Sequence, residues 1–163
     1  MKTNLQKPKW GVKTEWVPIE QLPPTPSGIK EIAIDLETKD PRLKSHGPGW
    51  PTGNGDVVGI AVAYEGFNAY LPFAHEGGGN LDRGIVLRWF QKEIANHPSD
   101  KIFYNAAYDV GWLKRLDVDL KGRWIDVMLG APLLNENRFS FSLNTVAYDY
   151  LGEMKSEAAL REA

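Results

Sequence analysis

Residues 31–37 run Glu-Ile-Ala-Ile-Asp-Leu-Glu. Ile32, Ile34 and Leu36 leave one face of an extended strand; Ala33, Asp35 and Glu37 leave the other. The apolar face needs a covering layer, so this strand belongs to a sheet packed against helices. The polar face carries two acids at one spacing, and acids that close repel each other and resist burial. Two arrangements relieve them: a strand whose polar face lies in water, or a divalent cation between the carboxylates. Magnesium suits the second, because it prefers oxygen ligands and keeps several waters.

The remaining pattern is mixed. Val57–Tyr64 and Asn68–Phe73 read as strands joined by a turn at Glu65-Gly66. Leu81–Asn96 turns helical, with Ile85, Val86, Trp89, Phe90 and Ile94 on one stripe. Lys101–Tyr104 is a short strand and Ala106–Leu116 a helix. Trp124–Asp126 ends as a strand, Val127–Leu134 and Ser142–Leu151 are helices, and the polar tail beyond Gly152 continues helical. Strands first, then strand and helix in turn, predict an α/β fold: a mixed sheet with helices on it. Residues 1–28 form an extended leader with Pro8, Pro18, Pro23, Pro24 and Pro26, which Trp10 and Trp16 would pin to the domain at 29–163. Lys39–Asp56 is a long glycine-rich loop, and His75–Asn80 a flexible one.

Composition removes several functions. The chain has 163 residues and fits one domain. It has no cysteine, which excludes disulfides and thiolate metal sites and agrees with a reducing cytosol. Its start lacks the apolar stretch of a signal peptide. No apolar run is long enough to span a membrane. The net charge is −2. Duplex binding through phosphate neutralisation usually shows a basic surplus, so any nucleic acid is met at a local site or within a larger assembly.

A third acid changes the weight of the first two. On a helix, Asn105, Asp109, Trp112, Leu113 and Leu116 share a face. Asp109 therefore lies on the apolar stripe, where an ionised carboxylate needs a cation or donors. The helix dipole at a partly wet start is its alternative support. Asn105 is either an N-cap or a substrate contact, and no Glu or Gln at 108 completes a capping box. Asp126 is either the N-cap of Val127–Leu134 or a support near the carboxylates. Lys39, Arg42 and Lys44 either meet single-strand phosphates or lie on a solvated loop. His46, His75 and His97 lack zinc spacing. His75–Asn80 lacks the Gly-Lys-Ser/Thr of a phosphate loop, and no nucleophile elbow is present.

These residues resemble a known family. Asp35-x-Glu37 on a first strand and Asn105-x-x-x-Asp109 at a helix start resemble the first two motifs of the DnaQ-like 3′–5′ exonucleases, whose fold is RNase H-like. Asp35–Pro41, Gly47–Trp50, Pro72–Glu76, Ile125–Met128, Leu134–Asn137 and Tyr150–Glu153 resemble the proofreading domain of phage family A DNA polymerases. Tyr104 stands where many relatives have His.

The resemblance implies two magnesium or manganese ions, about 4 Å apart across a scissile phosphate. Asp35 would bridge both ions. Glu37 would hold one ion and orient the attacking water, and Asp109 would hold the other through its waters. The Leu36 and Thr38 backbone, with Asn105, would flank the terminal nucleotide of a single-stranded DNA 3′ end. The product would be a nucleoside 5′-monophosphate. The implied partner is a polymerase domain in the parent protein, and the implied location is cytoplasmic, in the host if the source is a phage.

One departure stands out. The family's third motif, a Tyr or His four residues before the last ligand Asp, does not follow Asp109: residue 152 is Gly and residue 154 is Met. The chain is therefore read as C-terminally truncated or shortened. A non-catalytic RNase H-like module that positions DNA or protein, and an RNase D-like RNA exonuclease, remain the alternatives. The truncated reading predicts weak or no activity for the isolated chain. Full family-like turnover of single-stranded DNA, measured with metal, would refute it.

Overall fold

The computed structural model describes residues 1–5 and 19–153. Five strands form one sheet: β1 (Glu31–Lys39), β2 (Asp56–Tyr64), β3 (Phe67–Pro72), β4 (Asp100–Phe103) and β5 (Trp124–Asp126). The order is β3-β2-β1-β4-β5, antiparallel from β3 to β1 and parallel from β1 to β5. This is the mixed sheet that the pattern predicts, with β1 at its centre.

One face of the sheet holds the core. Ile32, Ile34 and Leu36 of β1 are buried with Ile60, Val62, Leu71 and Phe103. Helix α2 (Arg83–Trp89) supplies Val86 and Trp89, then widens into a π-helix, Phe90–Ala95, that buries Phe90 and Ile94. Asp82 caps α2 by accepting from the Ile85 amide at 2.9 Å, which satisfies one orphan donor of the first turn. Helix α3 (Ala106–Arg115) adds Val110, Trp112 and Leu113 to the same core. The stripe drawn from its sequence is thus the buried one.

The long loop after β1 is more ordered than its composition suggests. It contains one helical turn, α1 (Leu43–His46), and the Gly49 amide donates to Asp40 Oδ2 at 2.9 Å. Trp50 lies so close to Gly111 of α3 that a Cβ there would overlap the indole. A glycine inside a helix costs about 1 kcal/mol against alanine, and here it admits the loop.

Helices α4 (Val127–Leu134) and α5 (Leu143–Leu151) follow β5. They leave Leu129, Leu133, Leu134, Tyr148, Tyr150 and Leu151 exposed. The described part of the leader is strapped to the domain. Leu22 is buried in the core, its amide donates to the Met1 carbonyl at 2.8 Å, and Trp89 Nε1 donates to the Pro23 carbonyl at 2.6 Å. Trp10, Trp16 and the tail from residue 154 lie outside the described residues.

Lys101 departs from the pattern most sharply. It is fully buried at the start of β4, where alternation favours carbon. Its Nζ donates to the carbonyls of His97, Ser99 and Lys121 at 2.8, 2.8 and 2.9 Å. Burial pushes this ammonium down to about 8. The carbonyl cage compensates a charge that apolar packing alone could not.

Phe90→Ala removes a buried ring between the sheet and the α2 layer and is expected to cost about 3–5 kcal/mol in urea unfolding. Ala33→Ser, on the opposite face of β1, is expected to change stability by less than about 0.5 kcal/mol. Equal costs for the two would place the core wrongly.

Candidate active site

The other face of the sheet is an open trough. Its rungs are Ala33–Ala63–Asn68, Asp35–Ala61–Tyr70 and Glu37–Gly59–Pro72 across β1, β2 and β3. Small residues on β2 keep the floor low. Above it lies a cleft of about 490 Å³, bounded by Asp35, Tyr70, Ile102, Tyr104, Val127 and Leu143. Asp35 and Glu37 both stand exposed on this face, where the strand period puts them.

The register breaks at Glu37. Glu37 faces Gly59 while Thr38 faces Val57, so Val58 is an extra residue on β2. Such a bulge re-aims the side chains beside it. The Val58 carbonyl accepts from the Phe73 and Ala74 amides at 2.9 and 3.1 Å. That pair of bonds bends the chain out of β3 towards His75.

Asp109 completes the group. Strand β4 pairs with β1 only as far as Ala33, so β1 runs on past it with an unpaired edge facing the start of α3. The Leu36 amide on that edge donates toward the Asp109 carboxylate. Asp109 is 3% exposed. Burial, then the Asp35 charge, push its carboxyl up to about 7; the Leu36 amide opposes this, and the Asp126 and Glu37 charges add to it. The Asp109 carboxyl therefore feels the charges of both strand acids.

Asp126 does two jobs. Its Oδ1 accepts from the Met128 amide at 3.0 Å, which is the N-cap of α4. The same oxygen accepts from the Asn105 amide at 3.0 Å, and Oδ2 accepts from the Ala106 amide at 2.8 Å. One carboxylate thus fastens two helix starts, while its charge reaches Asp109. The N-cap role for Asn105 is corrected here. Asn105 is in the left-handed conformation, with φ 74°, and its side chain caps nothing. Asp126 instead fastens the amides of Asn105 itself and of Ala106, and Asn105 is exposed.

Thr38 turns to α3. Its hydroxyl donates to Tyr108 Oη at 2.7 Å, since that phenol donates in turn to Asp40 Oδ2 at 3.2 Å. The chain Thr38–Tyr108–Asp40–Gly49 ties β1, α3 and the loop together. Lys39 pairs with Glu76, and Arg42 and Lys44 are exposed.

The sequence pattern sets His75 aside as zinc ligand and phosphate loop and gives Tyr70 no role, yet the structure brings the two together. Tyr70 Oη and His75 Nε2 are hydrogen-bonded, and the rings meet edge to face at 5.9 Å. Burial, then the Glu37 and Asp35 charges, push the Tyr70 phenol up. Burial holds His75 below its usual range, against the pull of Glu37. The loop read as flexible is clamped: Asn80 Oδ1 accepts from the His75 amide and Asn80 Nδ2 donates to the His75 carbonyl, both at 2.8 Å. The signal for this was Gly59, since a glycine inside a strand marks a close approach.

The donors fit magnesium or manganese in kind: all are carboxylate oxygens, and one is buried among like charges. As placed, no group of three or more His, Asp or Glu side chains among the described residues is close enough to hold an ion. An ion would have to draw Asp35, Glu37 and Asp109 inward.

The 3′–5′ exonuclease family profile matches residues 19–161. The chain belongs to that family. A DNA-directed DNA polymerase of Pseudomonas phage M6 is 35% identical over 157 residues, which cover 93% of this chain and 24% of the polymerase. The chain thus spans about a quarter of that relative's length. Solved structures agree on the fold. Trypanosoma brucei RNase D in complex with GMP matches with TM-score 0.58 and 17% identity, over 80% of this chain and 38% of its own. The POL domain of Pol1 from M. smegmatis, in complex with DNA primer-template and dNTP, matches with TM-score 0.54 and 17% identity, over 78% and 20%. Brucella melitensis NrnC with bound Mg2+ matches with TM-score 0.54 and 13% identity, over 81% and 58%. The exonuclease chain has the RNase H-like sheet of these neighbours.

The raised Asp109 carboxyl has a stability consequence. Folding lifts it from 3.8 to about 7, so the folded state holds this proton more tightly than the unfolded state. Stability of the metal-free exonuclease should therefore fall as pH rises from about 4 to about 7, by up to about 4 kcal/mol. Asp109→Asn should remove most of that fall in urea unfolding at about pH 4 and about pH 8. An unchanged slope in the variant would exclude Asp109 as its source.

Proposed function

We propose that this chain is the metal-dependent proofreading part of a phage DNA polymerase, removing nucleotides from a single-stranded DNA 3′ end. The observation that carries this is the buried Asp109 carboxylate at the Leu36 amide, within reach of the Asp35 and Glu37 charges. The 24% share of the phage polymerase supports a longer parent. So do the exposed Leu129, Leu133, Leu134, Tyr148, Tyr150 and Leu151 of α4 and α5, which a further domain could cover. Residues 29–163 would be the exonuclease domain, with residues 1–28 as its leader.

Asp35, Glu37 and Asp109 would hold two magnesium or manganese ions. When bound, such ions neutralise charge on the scissile phosphate and ease departure of the 3′ oxygen. The protein side of the chemistry falls to named groups. Glu37 orients the attacking water at the edge of the trough. Asp35, on the middle rung, faces the scissile phosphate. Asp109, whose carboxyl is raised by burial and neighbouring acids, would hold an ion in its ionised form. The terminal nucleotide lies in the cleft over Ala33 and Ala61, flanked by Leu36, Thr38 and Asn105. Asp126 keeps Asn105 and Asp109 in place through the start of α3.

The test pairs binding with cleavage. Mn2+ titration of the 163-residue chain should give binding that Asp35→Ala weakens by about 100-fold or more. A 5′-labelled single strand should shorten slowly from its 3′ end and stop with chelator. DNA and RNA strands in parallel separate a proofreading site from an RNA-trimming one. Mn2+ affinity indifferent to Asp35→Ala and Glu37→Ala would leave a binding module in place of a nuclease.

A further inference from the structure

The Tyr70–His75 pair has no part in the chemistry above, yet it stands in the active trough. Tyr70 occupies the same rung as Asp35, across Ala61. Its hydroxyl leans along the sheet into the next rung, over Gly59. A Cβ at position 59 would overlap that oxygen, and Gly59 is the cross-strand partner of Glu37. The phenol therefore fills the space a side chain would have taken beside Glu37.

Much of the surrounding backbone holds it there. The Val58 bulge puts the register break at Glu37 and, through the Phe73 and Ala74 amides, starts the loop that carries His75. Asn80, itself buried, clamps both backbone groups of His75. The next residue, Glu76, pairs with Lys39, two positions beyond Glu37 on β1. His75 then presents Nε2 to the phenol. That nitrogen is engaged by Tyr70 and is not offered to substrate. The Glu37 charge acts on Tyr70 more strongly than that of Asp35.

We infer that Tyr70 and His75 are positioning residues for Glu37: His75 anchors the Tyr70 hydroxyl over Gly59, and that hydroxyl sets the rotamer in which Glu37 meets its ion and water. This rests on the metal reading of Glu37. A partner at a ligand's flank commonly changes affinity or activity by about 10–100-fold when lost. A purely structural pair would instead sit in the core, whereas Tyr70 and His75 are only half-buried on the open face.

The full 163-residue chain tests this through Mn2+ affinity, thermal unfolding of the metal-free protein, and a coupling measurement. Tyr70→Phe and His75→Leu should each weaken Mn2+ binding by about tenfold. His75→Gln, which can still hydrogen-bond the phenol, should stay within about threefold of wild type. Metal-free unfolding midpoints should move by less than about 3 °C in Tyr70→Phe. On a Glu37→Gln background, Tyr70→Phe should change affinity no further, because its effect passes through Glu37. Additive losses in the double variant, or Tyr70→Phe binding as tightly as wild type while Glu37→Gln binds weakly, overturn the inference and leave the metal site standing. Mn2+ affinity untouched by Glu37→Gln overturns the metal role of Glu37, and the inference with it.

Discussion

The free edge of β1 governs this molecule. Strand β4 accompanies β1 only to Ala33 and then turns away into α3. The backbone beyond that point has amides that need acceptors. Asp109 stands at the Leu36 amide, where the Asp35 charge acts on its carboxyl. One local need of the backbone thus gathers acids that electrostatics alone would keep apart. The cost is visible in Asp109, whose carboxyl holds its proton far above the usual range. On the metal reading proposed above, a cation would relieve a repulsion the fold has already accepted.

Two further devices make that edge dependable. Asp126 caps α4 and also fastens the Asn105 and Ala106 amides, so the helix bearing Asp109 starts at one place. The Thr38–Tyr108–Asp40 chain and the Trp50–Gly111 contact lock the same helix from its other side. On the far strands, the Val58 bulge and Gly59 shape the trough around Glu37. Rigid support of this kind matters because misplacing reacting groups by an ångström costs orders of magnitude in rate. The chain belongs to the 3′–5′ exonuclease family, and the register break between β1 and β2 lies at Glu37.

Much of the fold was legible because its periods are clean. Ile32, Ile34 and Leu36 against Ala33, Asp35 and Glu37 announce both faces of β1. The stripe of Trp112 and Leu113 announces which way Asp109 points. The boundaries of β2, β3 and α3 lie within a residue or two of those predicted. Other features carry no period. Lys101 sits where alternation favours carbon, because its four oxygen acceptors come from two separate stretches of chain. Asn105 stands at the cap position of α3 without a side-chain cap bond, and an aspartate twenty-one residues away holds its amide. Tyr70 and His75 meet only because a bulge on β2 redirects the chain after β3.

By itself the sequence determined what alternation and helical spacing can determine: which side chains share a face, and which faces need covering. That sufficed for an α/β sheet, for the pair Asp35 and Glu37, and for an acid on the buried side of α3. Only the tertiary structure decided which of those faces meet. The distance from Asp109 to β1 depends on where β4 stops, and the surroundings of Glu37 depend on a register break in its neighbour. Both are set by hydrogen bonds between segments far apart in the chain, and such bonds leave no regular trace along it.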